Sequence, residues 1–189
     1  MNIAIDPGAS GAIAWQDVDG SPQVAKMPET RGDTIDLIKR IIESAHTPVT
    51  CYHEKVANFI PDGGASQMFA FGRSAERCAC IMETLGVPLI EIAPKEWQKL
   101  LGLGGSERIS VPRMPPKLPK DEAKAWKAAN ADAVKAAKTH NAKAKRDWKN
   151  KLKASAQQRY PGLSATLDTA DALLILAASF RYGGQGVPS

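Results

Sequence analysis

The order of apolar and polar positions predicts short strands first, and helices alternating with strands afterwards. Three short apolar runs at the N-terminal end are separated by two turn signals, Pro7-Gly8 and Asp19-Gly20-Ser21-Pro22. Runs of this length between turn residues predict an antiparallel meander of strands at residues 2–6, 12–18 and 22–27.

Helices and strands alternate after the meander. Apolar residues recur at helical spacing over 33–44, whereas the segment 49–56 is typical of a buried strand. The elements predicted next are a helix at 66–85, a strand at 87–92, a short helix at 94–101 and a final helix at 163–182. This order predicts an α/β fold with a mixed five-stranded sheet flanked by helices. We expect 183–189 to be a flexible tail.

A basic segment interrupts this pattern. Glycines and prolines mark a loop after Gly102, and residues 120–159 contain no proline and many Ala and Lys, which favours a helix or a helical hairpin. Between Lys117 and Lys153, twelve Lys or Arg stand against four Asp or Glu, a net charge of +8 in a chain of +5, so the remainder carries −3. Such asymmetry indicates a polyanionic partner. We expect one domain over 1–182 with a Lys-rich insertion at about 105–147.

The composition narrows the class of protein. The chain shows no signal-peptide pattern and no apolar run of bilayer length, so no membrane partner is expected. Three cysteines form neither a disulfide framework nor a paired metal motif. We expect a cytoplasmic protein, in the host cytoplasm if a phage encodes it.

Four carboxylates lie at the ends of predicted strands or at the start of a predicted helix, where they are candidate ligands of a cation. Asp6 ends the first apolar strand, Glu54 ends the apolar run 49–54, and Asp168 and Asp171 are three residues apart at the start of the predicted last helix. That helical spacing places the last two on one face. Carboxylate oxygens are the ligands of hard cations. Two such ions can activate a water and stabilise the leaving oxygen of a phosphodiester.

Each acid also has a structural explanation. Asp6 before Pro-Gly suits a turn, and Glu54 suits a solvated strand end. Asp168 suits a helix N-cap with Asp171 in the first turn. Taken one at a time, the residues leave these alternatives open, whereas their order along the chain favours a shared site.

Four segments resemble a known family of nucleases. IAIDPGASGAIA, YHEKV, FGRSAERCACIMETLGVPLIEIAPKEWQK and LDTADALLILA, in this order, resemble the RuvC family of Holliday junction resolvases, the phage and virus-type members in particular. The resemblance covers about 1–102 and 149–180. It implies an RNase H-like fold and a homodimer with two Mg²⁺ ions per site, which Mn²⁺ can replace. The matching positions imply a catalytic, metal-binding tetrad: Asp6, Glu54, Asp168 and Asp171.

The chain departs from the family at the residue that wedges into DNA. Familiar members carry an aromatic side chain three residues after the glutamate, where this chain has Ala57. Phe59 in the same loop is a candidate DNA-binding wedge, since apolar side chains insert into base steps elsewhere. Its alternative role is to pack the loop. The basic insertion is also longer than the family pattern.

Five lysines are candidate DNA contacts because family members place lysines in comparable regions, with a solvated surface charge as the alternative for each: Lys95, Lys99, Lys149, Lys151 and Lys153. The helix at 66–85 is the expected homodimer interface. Its alternative is a helix packed only on its own sheet.

The function predicted is that of a metal-dependent crossover junction endodeoxyribonuclease, resolving four-way junctions by paired phosphodiester hydrolysis. One alternative is a less selective nuclease of the same fold that cuts flaps, forks or other branched DNA. Another is a non-catalytic DNA-binding module. The Asp-x-Gly start also opens actin-like ATPases, but those need two such domains, so no nucleotide cofactor is expected.

Overall fold

The computed structural model of the chain describes residues 1–16, 20–56 and 64–182. The strands are β1 (Asn2–Asp6), β2 (Ala12–Gln16), β3 (Pro22–Lys26), β4 (Thr50–Glu54) and β5 (Leu89–Ile92). The helices are α1 (Arg31–Glu43), α2 (Ala65–Thr84), α3 (Pro94–Leu100), α4 (Lys120–Arg159) and α5 (Ala170–Tyr182).

The strands form one mixed sheet in the order β3-β2-β1-β4-β5. The first three pair antiparallel, as the two turn signals predict. β4 lies parallel to β1, and β5 lies parallel to β4, because a helix crosses over between the members of each pair. The predicted five-stranded α/β sheet is confirmed.

Side-chain alternation divides the sheet into two faces. On one face the fully buried Ile3, Ile5 and Ile13 belong to a core cluster with residues of α1 and α2, such as Ile38 and Met82. This face holds the larger aliphatic side chains. It fixes the sheet against the first two helices.

The other face of the sheet is lined by small side chains. Ala4, Ala12 and Ala14 are fully buried there, and α5 packs against the strands that carry them. Asn2 Nδ2 donates to Ser179 Oγ at 2.9 Å, which ties the start of β1 to the C-terminal part of α5. Alanine therefore lets an apolar helix lie close to the strands that end in Asp6 and Glu54.

The chain divides into two compact units. One comprises Met1–Gly104 with Leu152–Ser189, and the other comprises Gly105–Lys151, which contains the predicted insertion. In the second unit Asn141 exchanges two hydrogen bonds of 2.9 Å with the backbone of Ile109. α4 is one continuous helix rather than a hairpin, as the absence of proline allows.

The final helix begins later than predicted. α5 starts at Ala170, not at residue 163, because Thr166 and Thr169 each accept a hydrogen bond from the other's backbone amide, at 3.2 and 2.9 Å. This reciprocal cap closes the turn that leads into the helix. The predicted tail at 183–189 lies outside the described residues. No helix in the described part of the chain is both long and apolar enough to cross a membrane.

Candidate active site

Asp6 and Glu54 end two neighbouring parallel strands at the same level. The register runs from Asn2 opposite Thr50 to Ile5 opposite His53, so one further step places Asp6 beside Glu54. Neighbouring strands lie about 4.8 Å apart, and residues at the same level point to the same face. Both carboxylates therefore project from the sheet face on which α5 packs.

The direction of α5 brings Asp171 to the same edge. Starting from the Asn2–Ser179 hydrogen bond, Asp6 lies four residues along β1, or about 13 Å at the rise of a strand. Asp171 lies eight residues back along α5, or about 12 Å at the rise of a helix. The two distances match, so Asp171, only 7% exposed, reaches the level of Asp6.

Asp168 reaches this edge through an ion pair with Lys26. Lys26 Nζ lies 2.7 Å from Asp168 Oδ2. Lys26 pairs with Ala12, which in turn pairs with Asp6, so one row of the sheet carries the lysine, a small residue and then two acids. The ion pair holds the turn before α5 next to this row.

The position of Asp168 differs from the prediction. It lies in the turn before α5 and not in the helix, and it is not the N-cap, because Thr166 and Thr169 cap this turn. The hydrogen bond from Ala170 N to Thr166 O keeps the helical winding through the turn. Asp168 and Asp171 therefore stay about one turn apart.

Glu54 is oriented by a buried tryptophan. Trp97 Nε1 donates to Glu54 Oε2 at 2.9 Å, and Trp97 is 1% exposed. α3 carries this tryptophan directly after β5. Arg159 and Arg181 donate to the last carbonyl groups of α3, at 3.0 and 2.7 Å, as basic residues do at helix C-termini. A fixed helix thus holds the donor that orients the glutamate.

The donor set of this edge suits a hard divalent cation. Asp6, Glu54, Asp168 and Asp171 offer only carboxylate oxygens, which suit Mg²⁺ and Mn²⁺ better than softer metals. Within 1–16, 20–56 and 64–182, no group of three or more His, Cys, Asp or Glu side chains is close enough to form a metal cage. The ammonium of Lys26 is the cation next to Asp168. The four acids share one edge of the sheet without forming an assembled cage.

His53 lies on the opposite face of the sheet, as alternation predicts. It is buried, and this burial lowers the pKa of its imidazole, while the charges of Glu91 and Glu76 act in the other direction with a smaller effect. The neutral ring is a packing residue. It is not part of the carboxylate row.

The structure does not gather the five candidate lysines into one place. Lys95 and Lys99 are exposed and four residues apart on α3, on the side facing away from Trp97. Lys149 and Lys151 belong to the unit Gly105–Lys151, where the Lys151 ammonium lies 5.4 Å from the ring centre of Trp148. Lys153 is an exposed residue of α4 in the other unit.

Two predicted features of the DNA and dimer surfaces have different outcomes. Phe59, the candidate wedge, and Ala57 lie outside the described residues. On α2, Phe69 is 70% exposed and borders a largely apolar groove of about 820 Å³ between α1 and α2, whereas Cys78 and Met82 are buried against the sheet. One side of α2 thus packs on its own sheet, and the other side is open.

Two residues of the site were missed by sequence reasoning. Lys26 ends the third strand. In the predicted meander the end of the third strand pairs with the start of the second, which pairs with the end of the first, so Lys26 could have been placed in the row of Asp6. Trp97 carried no such signal, because its contact with Glu54 spans 43 residues. A polar ring nitrogen on a buried tryptophan does require a partner, and that requirement was the available clue.

Comparison with known proteins shows the fold. No protein-family model matches the chain, and a search of curated proteins gives no match. Among solved structures, T. thermophilus RuvC in complex with a Holliday junction substrate matches with a TM-score of 0.51 at 14% identity, covering 98% of this chain and 96% of that one. A second structure of Thermus thermophilus RuvC gives a TM-score of 0.44 at 16% identity, covering 96% of each chain. The chain has the RNase H-like α/β fold of the first of these structures.

Proposed function

We propose that the chain is a divalent-metal-dependent endodeoxyribonuclease that resolves four-way DNA junctions by paired phosphodiester hydrolysis. One observation carries this proposal. Asp6 lies level with Glu54 on adjacent parallel strands, and α5 brings Asp171 to the same edge of an RNase H-like sheet. Acids collected there on a small-residue face need a cationic partner, because clustered carboxylates repel one another.

The proposed metal ligands are the four acids of this edge: Asp6, Glu54, Asp168 and Asp171. Two Mg²⁺ ions, or Mn²⁺ in their place, would supply an activated water and stabilise the leaving oxygen. The chain's own residues prepare the site. Trp97 donates a hydrogen bond to one carboxylate oxygen of Glu54. The Thr166–Thr169 cap fixes the turn that precedes Asp171.

Lys26 has a place in this proposal because it already binds one of the acids. Its ammonium lies 2.7 Å from Asp168 Oδ2 and neutralises the charge of that carboxylate. Asp168 would be one of the residues that hold a divalent cation, and Lys26 would then be available to contact the phosphate of a DNA strand lying over the same row. The ion pair is solvent-exposed, so its exchange costs at most about 1 kcal/mol.

The fold similarity and the open side of α2 support the choice of a junction and a homodimer. The matched RuvC structure is a complex with a Holliday junction substrate. Symmetric cutting of a junction needs two sites related by a twofold axis. The exposed Phe69 and its groove offer an apolar surface for a second copy. Lys95 and Lys99, exposed on α3, remain proposed phosphate contacts.

A second candidate function is a less selective nuclease for forks and flaps. The observation that favours it is Ala57, which lacks the aromatic side chain expected of a junction wedge. Both candidates use the same carboxylates, so they differ in substrate and not in chemistry.

A substrate panel separates the two candidates. The protein is incubated with Mg²⁺ and end-labelled four-way junction, fork, flap and linear duplex of equal arm length. We expect paired, symmetric nicks on the junction at rates at least tenfold above those on the fork and flap. Equal rates on all branched substrates would select the less selective nuclease. Absence of cutting on every substrate would reject both.

A further inference from the structure

Seven of the twelve Lys and Arg residues of α4 are arranged in one row on one side of the helix. Nine positions follow each other at steps of three or four residues, and seven of them are lysine and two are alanine: Lys120, Lys124, Lys127, Ala131, Lys135, Lys138, Ala142, Lys145 and Lys149. We call these nine positions the lysine stripe. The eight steps cover 29 residues, or about 3.6 per step, which is the helical repeat. The stripe therefore runs straight along α4.

The stripe is wholly basic or neutral. At about 100° per residue its nine positions fall within an arc of about 80°. The four acids of the helix up to Lys149 lie outside that arc: Asp121, Glu122, Asp132 and Asp147. Eight of the nine positions are exposed, and Lys149 is half-buried. Acids are thus excluded from this arc, whereas basic residues such as Lys143 and Arg146 also lie outside it.

Another side of α4 is covered by the chain itself. His140 Nε2 lies 2.9 Å from the carbonyl oxygen of Glu107, and Asn141 holds Ile109 by two hydrogen bonds. His140 is about 180° around the helix from the middle of the stripe, and Asn141 is about 80° away. The segment 105–109 therefore packs against α4 away from the stripe, which stays on the outside of this unit.

This arrangement is unfavourable for an isolated helix. Lysines three or four residues apart repel each other by about 0.2–0.5 kcal/mol per pair, whereas an acid at the same spacing would attract. Pairs such as Lys120/Lys124 and Lys135/Lys138 have this spacing. Among the stripe lysines only Lys124 and Lys135 also have an acid at that spacing, Asp121 and Asp132, so five of the seven lysines have none. A helix that needed only solubility would alternate its charges, so the stripe is better explained by a polyanionic partner.

We propose that the lysine stripe binds the phosphate backbone of a DNA duplex lying along α4. The stripe is about 44 Å long at the rise of a helix, which matches about 13 base pairs at 3.4 Å each. A straight row of lysines suits a stiff, regularly charged rod. An anionic membrane would require large apolar side chains beside the basic ones, and the stripe contains only alanine between its lysines.

This inference rests on DNA as the substrate of the proposed function, and it adds a duplex-binding surface separate from the carboxylates. Contacts of this kind carry no base specificity. They make binding steeply salt-dependent, with a slope of log K against log salt of up to about −6 if all seven lysines contact phosphates.

The test moves lysines around the helix without changing composition or charge. The swap variant combines Lys135→Ala with Ala133→Lys, and Lys138→Ala with Ala136→Lys. Both alanines are exposed and lie roughly opposite the stripe. Alanine and lysine are both good helix formers, so helicity is retained, and far-ultraviolet circular dichroism checks it. Binding to a 25-base-pair duplex is measured by fluorescence anisotropy without divalent metal, from 50 to 250 mM NaCl.

We expect the swap variant to bind at least tenfold more weakly at 50 mM NaCl and to lose about 1.8 from the magnitude of the salt slope, because two phosphate contacts are gone. A second variant, Lys135→Gln with Lys138→Gln, should lose the same amount. Unchanged binding by the swap variant would show that net charge alone matters and would overturn the stripe. Unchanged duplex binding with loss of binding to phosphatidylserine vesicles would assign the stripe to a membrane and overturn it too.

The outcome is independent of the nuclease proposal. A protein that binds the duplex through the stripe but cuts no branched DNA with Mg²⁺ would contradict the nuclease proposal alone. A protein that cuts junctions while the swap variant binds normally would contradict the stripe alone.

Discussion

Gly11 is the position where one methyl group should disturb the candidate site most. An added Cβ would overlap the carbonyl oxygen of Asp6, and it would lie 3.0 Å from the carbonyl carbon of Asp6 and 3.2 Å from the amide nitrogen of Gly8. All three are backbone atoms, which cannot rotate away. Gly11→Ala therefore forces the end of β1 and the start of β2 apart.

The cost follows from what holds Gly11 in place. Its amide donates to Gly8 O at 3.1 Å, and its carbonyl accepts from Met27 N at 2.9 Å. Overpacking a tight site costs about 1–3 kcal/mol, and each hydrogen bond lost in the relaxation costs about 1 kcal/mol more. We expect the free energy of unfolding to fall by about 3 kcal/mol, which lowers Tm by about 6–12 °C in a protein of this size.

Thermal unfolding followed by circular dichroism at 222 nm tests this estimate. Gly32→Ala is the matched control, because Gly32 is exposed in α1 and an added Cβ would meet only Thr30 Oγ1, at 3.8 Å. We expect this control to gain about 0.4–1 kcal/mol from the lower entropy of the unfolded chain. A Gly11→Ala variant that melts within 1 °C of the wild type would refute the reasoning.

Three further predictions address other parts of the unit that comprises Met1–Gly104 and Leu152–Ser189. Burial lowers the pKa of His53, so near pH 6.5 the unfolded chain takes up a proton that the folded chain does not. The free energy of unfolding should therefore fall as the pH drops from about 7.5 to 5.5. His53→Leu should reduce that loss, as measured by urea titrations. Maleimide should modify the native protein only at the exposed Cys80, since Cys51 and Cys78 are buried and burial raises the pKa of both thiols. Lys26→Met should bind Mg²⁺ about two- to fivefold more tightly in calorimetry, because no ammonium then competes for the carboxylate in the exposed ion pair.

Each of these measurements has its own control. His46→Gln, at an exposed position, should keep the wild-type pH dependence, and an identical slope in His53→Leu would contradict the first prediction. Mass spectrometry should count one maleimide adduct in the native protein and three in denaturant; two or more adducts before unfolding would contradict the second. Lys39→Met, on an exposed face of α1, should leave Mg²⁺ affinity unchanged, and weaker binding by Lys26→Met would contradict the third.

The local features of the sheet could be read from the sequence because they depend on neighbours in the chain. Alternation and the Pro7-Gly8 turn were sufficient for the meander. The pairing of β4 with β1 is not local, since it joins residues about 48 apart. The sequence predicts that Asp6 and Glu54 each end an apolar strand. Only the structure shows that the two residues lie at the same level on neighbouring strands.

The helical part of the site was less predictable for a physical reason. Capping by Thr166 and Thr169 depends on side-chain hydrogen bonds within one turn, and this cap is the reason that α5 does not extend back to residue 163. The partners of Asp168 and Glu54 come from distant strands and helices, and no periodicity encodes them. The predicted turns could place Lys26 in the row of Asp6, but its contact with Asp168, and that of Trp97 with Glu54, appear only once the chain is folded.

We propose that four acids form a divalent-metal nuclease site: Asp6 and Glu54 at the ends of β1 and β4, Asp168 in the turn before α5, and Asp171 in the first turn of α5. The most direct measurement is cleavage of an end-labelled four-way junction by the wild type and by Asp6→Asn, with Mg²⁺ and with EDTA. We expect the wild type to nick the junction with Mg²⁺ only. The cleavage rate of Asp6→Asn should be lower by at least about 10³-fold, which corresponds to about 4 kcal/mol of activation free energy, while its junction binding is unchanged. Wild-type rates in Asp6→Asn, or cutting that persists in EDTA, would contradict it.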